Sequence, residues 1–276
     1  MSRYRSIRLS AIGLIAMVLL VGMPLRGLSQ MKGRKDRSII ENPGLKVDDF
    51  IGQYALCWWD DFEGEVLDTI KWKYRAEGSK RGFATVSRET IALDGKGNLI
   101  LQTLKKDGKY YVGQVTTDGI FAQKFGYFEC RAQVNKYLGT HSAFWLQTNT
   151  MTKENNDPWN NGTEIDIFEY HRNTPDKVHH NLHWNGYGAG HKNVGLALPA
   201  PGVDKGYHTF GLLWTEKEYV FFVDGVETWR TSEALSNIAE YIILSTELTG
   251  FGGNHLHDNY PDSILFDYVK VYRLKG

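Results

Sequence analysis

Cysteine is nearly absent from this 276-residue chain, which holds only Cys57 and Cys130. A disulfide-dense scaffold is thereby excluded, and at most one bridge can form. Whether it does depends on how closely the two Cα atoms approach, which the sequence leaves open. Unbridged, both side chains would serve as small buried hydrophobes. Excess charge is absent too, since 32 Lys and Arg balance 32 Asp and Glu. Nothing therefore points to nucleic acid or an anionic membrane as partner, and a highly sulfated substrate is disfavoured, although a total says nothing of a local patch. The marked hydrophobic run near the N-terminus, residues 12–22, is too short to span a bilayer comfortably. Helical patterning is scarce, with short pieces such as residues 232–238 as its best examples. Internal repeats and a second domain are not visible.

The apolar run has a use as an address. Arg3, Arg5 and Arg8 precede it and Gly27, Leu28 and Ser29 follow, so residues 1–29 are expected to be a secretory signal peptide cut near Ser29 and Gln30. No cysteine lies near that cut, so lipid anchoring is not supported, and the chain is expected to be secreted or periplasmic without stable membrane insertion. The basic, polar stretch that follows gives an expected linker over residues 30–48. Residues 49–276 are then one domain, long enough for a single large core, and a monomer is expected.

Short alternating runs recur between turn signals: NLILQTL, YYVGQVTT, GYFECRAQV, THSAFWLQ, KEYVFFV and SILFDYVKVY. That rhythm is the signature of an all-β, antiparallel sandwich. Eight Trp and fifteen Tyr are many for this length, and flat amphipathic rings suit stacking on sugars, although most will fill the core.

One run breaks the rules of strand composition. Residues 163–170, TEIDIFEY, carry Glu164, Asp166 and Glu169 among apolar and aromatic neighbours, although strands disfavour acids and like charges on one face repel. Alternation places Glu164 and Asp166 on one face; Glu169, five residues beyond Glu164, would fall on the other. A β-bulge at Ile167 or Phe168 would return it to the first face, and bulges are common beside active sites. Carboxylates so gathered can cleave a glycosidic bond, one attacking while another protonates the leaving oxygen, and a single strand favours the short separation of a retaining enzyme. The acid between them can help to set their pKa values apart. The alternative is a solvated acidic strand or a calcium-binding edge.

This segment resembles the E-x-D-x-x-E signature of glycoside hydrolase family 16, and other stretches fit the same family over roughly residues 50–275. WWDDFEG at 58–64, with Leu67, Asp68 and Trp72, resembles its opening strand, and TTDGIFAQKFGYFECR at 116–131 the strands before the active site. AFWLQ at 143–147 resembles the Trp-bearing strand of the cleft, while VFFVDG and FDYVKVYR resemble the late hairpin and closing strand. The resemblance implies a concanavalin-like β-jelly roll of two antiparallel sheets with a concave substrate cleft. It implies Glu164 as nucleophile, Asp166 as assisting acid, Glu169 as general acid/base and Trp145 on the glycone side, with Phe144 turned to the core. It also implies that His183 reaches the acids or the substrate, and that Asp267 in the closing strand helps to hold a structural calcium; catalysis itself requires no cofactor.

His179, His183 and His191 in HHNLHWNGYGAGHK invite a metal site, but no acidic or Cys ligand accompanies them at a familiar spacing. A strand beside the acids fits better, with Trp184 facing away from His183. Residues 186–190 then form a Gly-rich loop at the cleft rim, where Tyr187 or His191 is expected to touch sugar. The expected activity is endo-hydrolysis of internal β-linkages in a polysaccharide, a β-1,3- or β-1,3/1,4-glucan. Two departures from the laminarinase pattern, NNGTEID in place of a Trp-Pro lead-in and ILSTEL with its candidate cleft acid Glu247, keep β-galactans open as the alternative. A non-catalytic carbohydrate-binding jelly roll would share the fold but have no need of the acids.

Overall fold

The alternating runs form strands that sort into two sheets, seen in a computed structural model that describes residues 44–276. The sheet bearing the acids runs in spatial order Lys192–Pro199, Lys177–Trp184, Glu164–His171, Gly139–Gln147, Glu240–Gly252, Gln114–Thr116 and Lys73–Tyr74. The second sheet is centred on Gly126–Gln133, Asp262–Leu274 and Leu99–Lys106. Its strand pairs are antiparallel except Ala84–Val86 with Lys109–Val112. This is the antiparallel sandwich expected from the strand rhythm, in the two-sheet jelly-roll form that the family resemblance implies.

Burial explains why the two sheets stay together. Leu99–Lys106 alternates between buried and half-buried positions until its solvated lysines, as a strand covered on one face must. Phe128, Phe210 and Val269 from one sheet meet Phe144, Ile165, Phe168 and Leu244 from the other in one core cluster. Phe168 stacks on Phe210 across that core with ring centroids 4.0 Å apart. Gly139–Gln147 is buried at every position, because its inner face meets this core and its outer face lies under the walls of the cleft. Phe144 points inward as expected, whereas Ala143 and Trp145 pack on the other side with Tyr241 and Ile243.

Two expectations are corrected, for residues 232–238 and for the linker, and the disulfide question that the sequence left open is answered. Residues 232–238 form no helix. Ala234 has a φ of 50°, and its carbonyl accepts hydrogen bonds from Thr163 Oγ1 and Tyr219, while Ser236 receives Trp214 Nε1 on its carbonyl and donates its N–H to Tyr219. Side chains of the core thus take the backbone groups that a helix would have paired within itself. Cys57 and Cys130 are free thiols. Their strands flank opposite edges of Asp262–Leu274, so two strand spacings, about 9–10 Å, separate them, beyond disulfide reach. The expected linker ends sooner than residue 48: Leu45 N donates to Glu227 Oε2 at 2.9 Å, Val47 N to Gly225 O at 3.0 Å, and Lys46 bridges to Val226. The expected signal peptide and residues 30–43 of that linker lie outside the described residues. Among the described residues, no helix is long and apolar enough to cross a membrane.

Candidate active site

The acids converge because the strand is bulged where parity requires it. Against Gly139–Gln147, Phe168 pairs with Phe144 and Asp166 with Trp145, which leaves Ile167 without a partner. On the other side, the register slips between Asp166, opposite Asn181, and Glu169, opposite His179. Ile165, Ile167, Phe168 and Tyr170 therefore all enter the core, and Glu164, Asp166 and Glu169 line one recess with Arg81, His141, Ala143, Trp145 and Glu247. His180 holds the bulge in place. It is fully buried, its Nδ1 lies 2.6 Å from the Ile167 carbonyl, and its Nε2 lies 2.9 Å from Thr228 Oγ1. Burial lowers its pKa to about 4, so the ring is neutral and Nδ1–H is the donor to that carbonyl.

Each acid has a different company. Glu164 Oε2 accepts from Gln147 Nε2 at 2.7 Å and from the Tyr187 hydroxyl. Burial pushes the Glu164 carboxyl above its usual range, while the Tyr187 bond and His183 oppose it. Asp166 is pushed far higher, by burial and by its two anionic neighbours, and His183 Nε2 stands 3.3 Å from its Oδ2. Although burial pushes the Glu169 carboxyl up, it is held below its usual range by His141, whose Nε2 lies 2.8 Å from Oε1, and by Asn181, which donates to Oε2. His141 is raised in turn, since Glu169 outweighs its burial. His183 rises to about 9: Asp166 overcomes desolvation, and its Nδ1 meets His191 Nε2 at 3.0 Å. The recess thus sets two imidazoles whose proton affinity is raised among three carboxyl groups, of which Asp166 is pushed furthest above its usual range, so that His183 and Asp166 compete for one proton.

The walls bear out the parity of the two neighbouring strands. His183 faces the acids and Trp184 turns to Asn156, at 3.3 Å. Trp145 donates its indole N–H to Ser245 Oγ at 3.1 Å and carries the Arg75 guanidinium 5.0 Å over its ring. Glu247 is in the cleft wall, but both its oxygens are held at 2.7 Å by Arg81. Tyr187 joins the site from the Gly-rich loop, which wraps the Glu154 side chain. Gly195 has a definite purpose: a Cβ there would sit 1.7 Å from Asn181 Oδ1, so only glycine lets Asn181 reach Glu169. A larger depression of about 750 Å³, lined by Tyr54, Phe125 and Trp214, lies on the other sheet, away from the acids.

His141, Gln147, Asn181 and His180 escaped the reading of the sequence. Period-two counting from Trp145 finds His141 and Gln147, and counting from His183 finds Asn181; His180 is marked by standing opposite the bulge. Arg75 and Arg81 carry no such signal, because they come from just beyond and within two-residue strands, Lys73–Tyr74 and Lys80–Arg81, too short to show a period. Asp267, expected to hold calcium on the convex face rather than in the cleft, lies in the closing strand Asp262–Leu274 of the other sheet. It accepts from Arg131 Nη1 at 2.6 Å, and a guanidinium beside the carboxylate does not fit calcium, which needs six to eight oxygen ligands. Among the described residues, the one group of donor atoms close enough to share a metal is Glu164, Asp166 and His183, all within 4.8 Å of one another. Within that group His183 Nε2 already faces Asp166 Oδ2, at 3.3 Å.

A jelly roll with a bulge-assembled carboxyl cluster in its cleft defines the class of the double-carboxylate polysaccharide hydrolases. The chain belongs to glycosyl hydrolases family 16, whose model matches residues 80–248. Endo-1,3-1,4-beta-glycanase EglC of Rhizobium meliloti (strain 1021) is 28% identical over 228 residues, covering 79% of this chain and 46% of that protein. This chain therefore spans about half the length of that relative. A beta-glucanase of Rhodothermus marinus is 28% identical over 247 residues, covering 80% of this chain and 85% of its own. The crystal structure of laminarinase from Flavobacterium sp. UMI-01 superimposes with a TM-score of 0.68 at 23% identity, over 79% of this chain and 100% of that one, a likeness of fold.

Proposed function

We propose that this chain is a retaining endo-β-glycoside hydrolase acting on a β-1,3- or β-1,3/1,4-linked glucan, exported to work outside the cytoplasm. The observation that carries the reading is the bulge, which gathers Glu164 and Glu169 from one strand into one recess. The named activities of the two relatives support a glucan backbone, and Arg3, Arg5, Arg8 and the apolar run after them support export.

Glu164 is the nucleophile. Gln147 and Tyr187 both donate to its Oε2, which favours the ionised form that burial resists and leaves Oε1 to attack the anomeric carbon. As the C–O bond breaks, Glu169 protonates the leaving oxygen; water then adds to the anomeric carbon, loses its proton to Glu169, and releases Glu164. The directions of the pKa shifts run against these roles, with Glu164 raised and Glu169 lowered. The contradiction is resolved by treating His141 and Glu169 as a pair that shares one proton. Free, the proton lies on the imidazole; a sugar that displaces water from the recess destabilises the ion pair and favours neutral His141 beside protonated Glu169. Asp166 and His183, 3.3 Å apart, share a proton between them, which keeps a third uncompensated negative charge out of the site.

Glu164→Gln is expected to abolish release of reducing ends from laminarin and mixed-linkage glucan while its circular dichroism and melting temperature stay near those of the parent. Full activity in a correctly folded variant would sink the assignment of Glu164.

A further inference from the structure

Arg75 is the charged group in the cleft that the hydrolytic reading does not use. Its neighbour Arg81 is matched, both oxygens of Glu247 lying at 2.7 Å from Nη2. Arg75 has no such match: Nη1 donates at 2.6 Å to Gln114 Oε1, a neutral amide, and among the described residues no carboxylate comes within 4.0 Å of its nitrogens. The side chain is nevertheless fixed. Backbone N–H of Arg75 donates to Gln114 O at 2.9 Å, and the guanidinium lies 5.0 Å over the Trp145 ring. It lines a recess of about 210 Å³ together with Trp145, Gln147, Glu164 and Tyr187, so it stands where a sugar next to the scissile bond would lie.

An arginine placed in this way is costly unless something completes it. Burial and then the nearby Arg81 depress its pKa, and Glu247, Tyr241 and Glu164, none of them paired with it, offset this only in part. A guanidinium stacked on an aromatic ring is weakly hydrated, and its free N–H edge matches two oxygens of one anionic group. A neutral hydroxyl would satisfy one donor and leave the charge uncompensated. We propose that Arg75 is a specificity-determining residue whose free edge binds an anionic substituent, a sulfate ester or a carboxylate, on the sugar seated beside Glu164. The inference rests on the glycosidase reading and narrows its substrate class to polysaccharides that carry acidic groups.

The test compares matched substrates. Laminarin and mixed-linkage glucan are used unmodified, lightly sulfated, and oxidised at C6 to glucuronyl units, with release of reducing ends measured at low and high salt for the parent, Arg75→Gln and Arg75→Lys. For the parent at low salt, kcat/KM on at least one anionic form is expected to exceed that on the neutral form by roughly tenfold, the scale of a charge-assisted hydrogen bond. Preference for one anionic form identifies sulfate or carboxylate as the group recognised. Arg75→Gln should collapse the anionic-to-neutral ratio towards one, and Arg75→Lys should restore part of it without the two-oxygen geometry. A parent ratio at or below one on both anionic forms, or a ratio unchanged in Arg75→Gln, overturns the inference while leaving the glycosidase reading intact. If the folded parent cleaves none of these polymers, the glucan reading fails instead. The inference is then decided by affinity of Glu164→Gln for matched neutral, sulfated and glucuronyl laminari-oligosaccharides, with no anionic preference overturning it.

Discussion

An imidazole 2.8 Å from Glu169 changes what that acid has to do. A lone buried carboxyl would keep its own proton, raised by desolvation, and a carboxylate beside a permanent cation would have none to give. His141 lies between these limits because it can hold the proton and return it. Its shift sets the sign: the pair is loaded below the raised pKa of His141 and empties as pH rises through it. In His141→Gln the proton is held by Glu169 alone, a carboxyl in place of an imidazole, so the alkaline limb of kcat/KM on polysaccharide is expected to move to lower pH. An aryl glycoside with a good leaving group, which needs little protonation, should show a smaller change. An alkaline limb that does not move would show that His141 only packs. The sequence displayed His141 within THSAFWLQ, and counting by twos from Trp145 puts it on the cleft face. That Glu169 would be the group across from it depended on the bulge.

At the scale of the element, the bulge is the main device of this molecule, and it is held from both sides. Phe168 is pulled into the core against Phe210, while the buried Ile167 carbonyl that the bulge leaves without a ladder partner is taken by His180. Removing the donor leaves a buried carbonyl unsatisfied and frees the strand to relax towards regular pairing. His180→Leu is therefore expected to lower kcat by about 100-fold, the usual scale of a displacement near 1 Å at a catalytic group. The loss should greatly exceed any change in KM. Normal kcat in a folded His180→Leu protein would mean that packing of Ile167 and Phe168 alone sustains the bulge. Strand positions were legible in the alternating runs because each strand buries one face. The segment at 232–238 was misread because its backbone is bonded by Thr163, Tyr219 and Trp214, contacts between residues far apart in the chain.

For the whole molecule, zero net charge conceals strongly unequal local fields. Glu240, fully buried at the start of the strand that flanks Gly139–Gln147, accepts the Thr163 N–H at 3.0 Å, while its Oε2 has no hydrogen-bond partner. Desolvation raises its pKa from the ordinary 4.5 to about 8. Because the folded form holds this proton more tightly than the unfolded chain, the contribution to stability is greatest below about pH 4.5, declines as pH rises to about 8, and is flat beyond. Glu240→Gln keeps an acceptor for Thr163 and removes the ionisation. Its stability relative to the parent should rise across that window, by on the order of a few kcal/mol at its alkaline end. Chemical denaturation at pH 4.5, 6 and 8.5 measures it, and a constant difference between the two proteins would exclude ionisation of Glu240 as the cause.

The sequence by itself determined the strands, the three acids and the need for a bulge between Asp166 and Glu169, because alternation with a period of two is a local rule and burial of one face enforces it. Tertiary structure alone decided which groups stand against those acids. His141 and Asn181 come from the two strands that flank Glu164–His171, Gly195 clears the space for Asn181, and Arg75 arrives from a strand end more than sixty residues before Trp145 in the chain. Proton placement and the free cationic edge in the cleft follow from distances across the folded sheet, and no spacing along the chain encodes them.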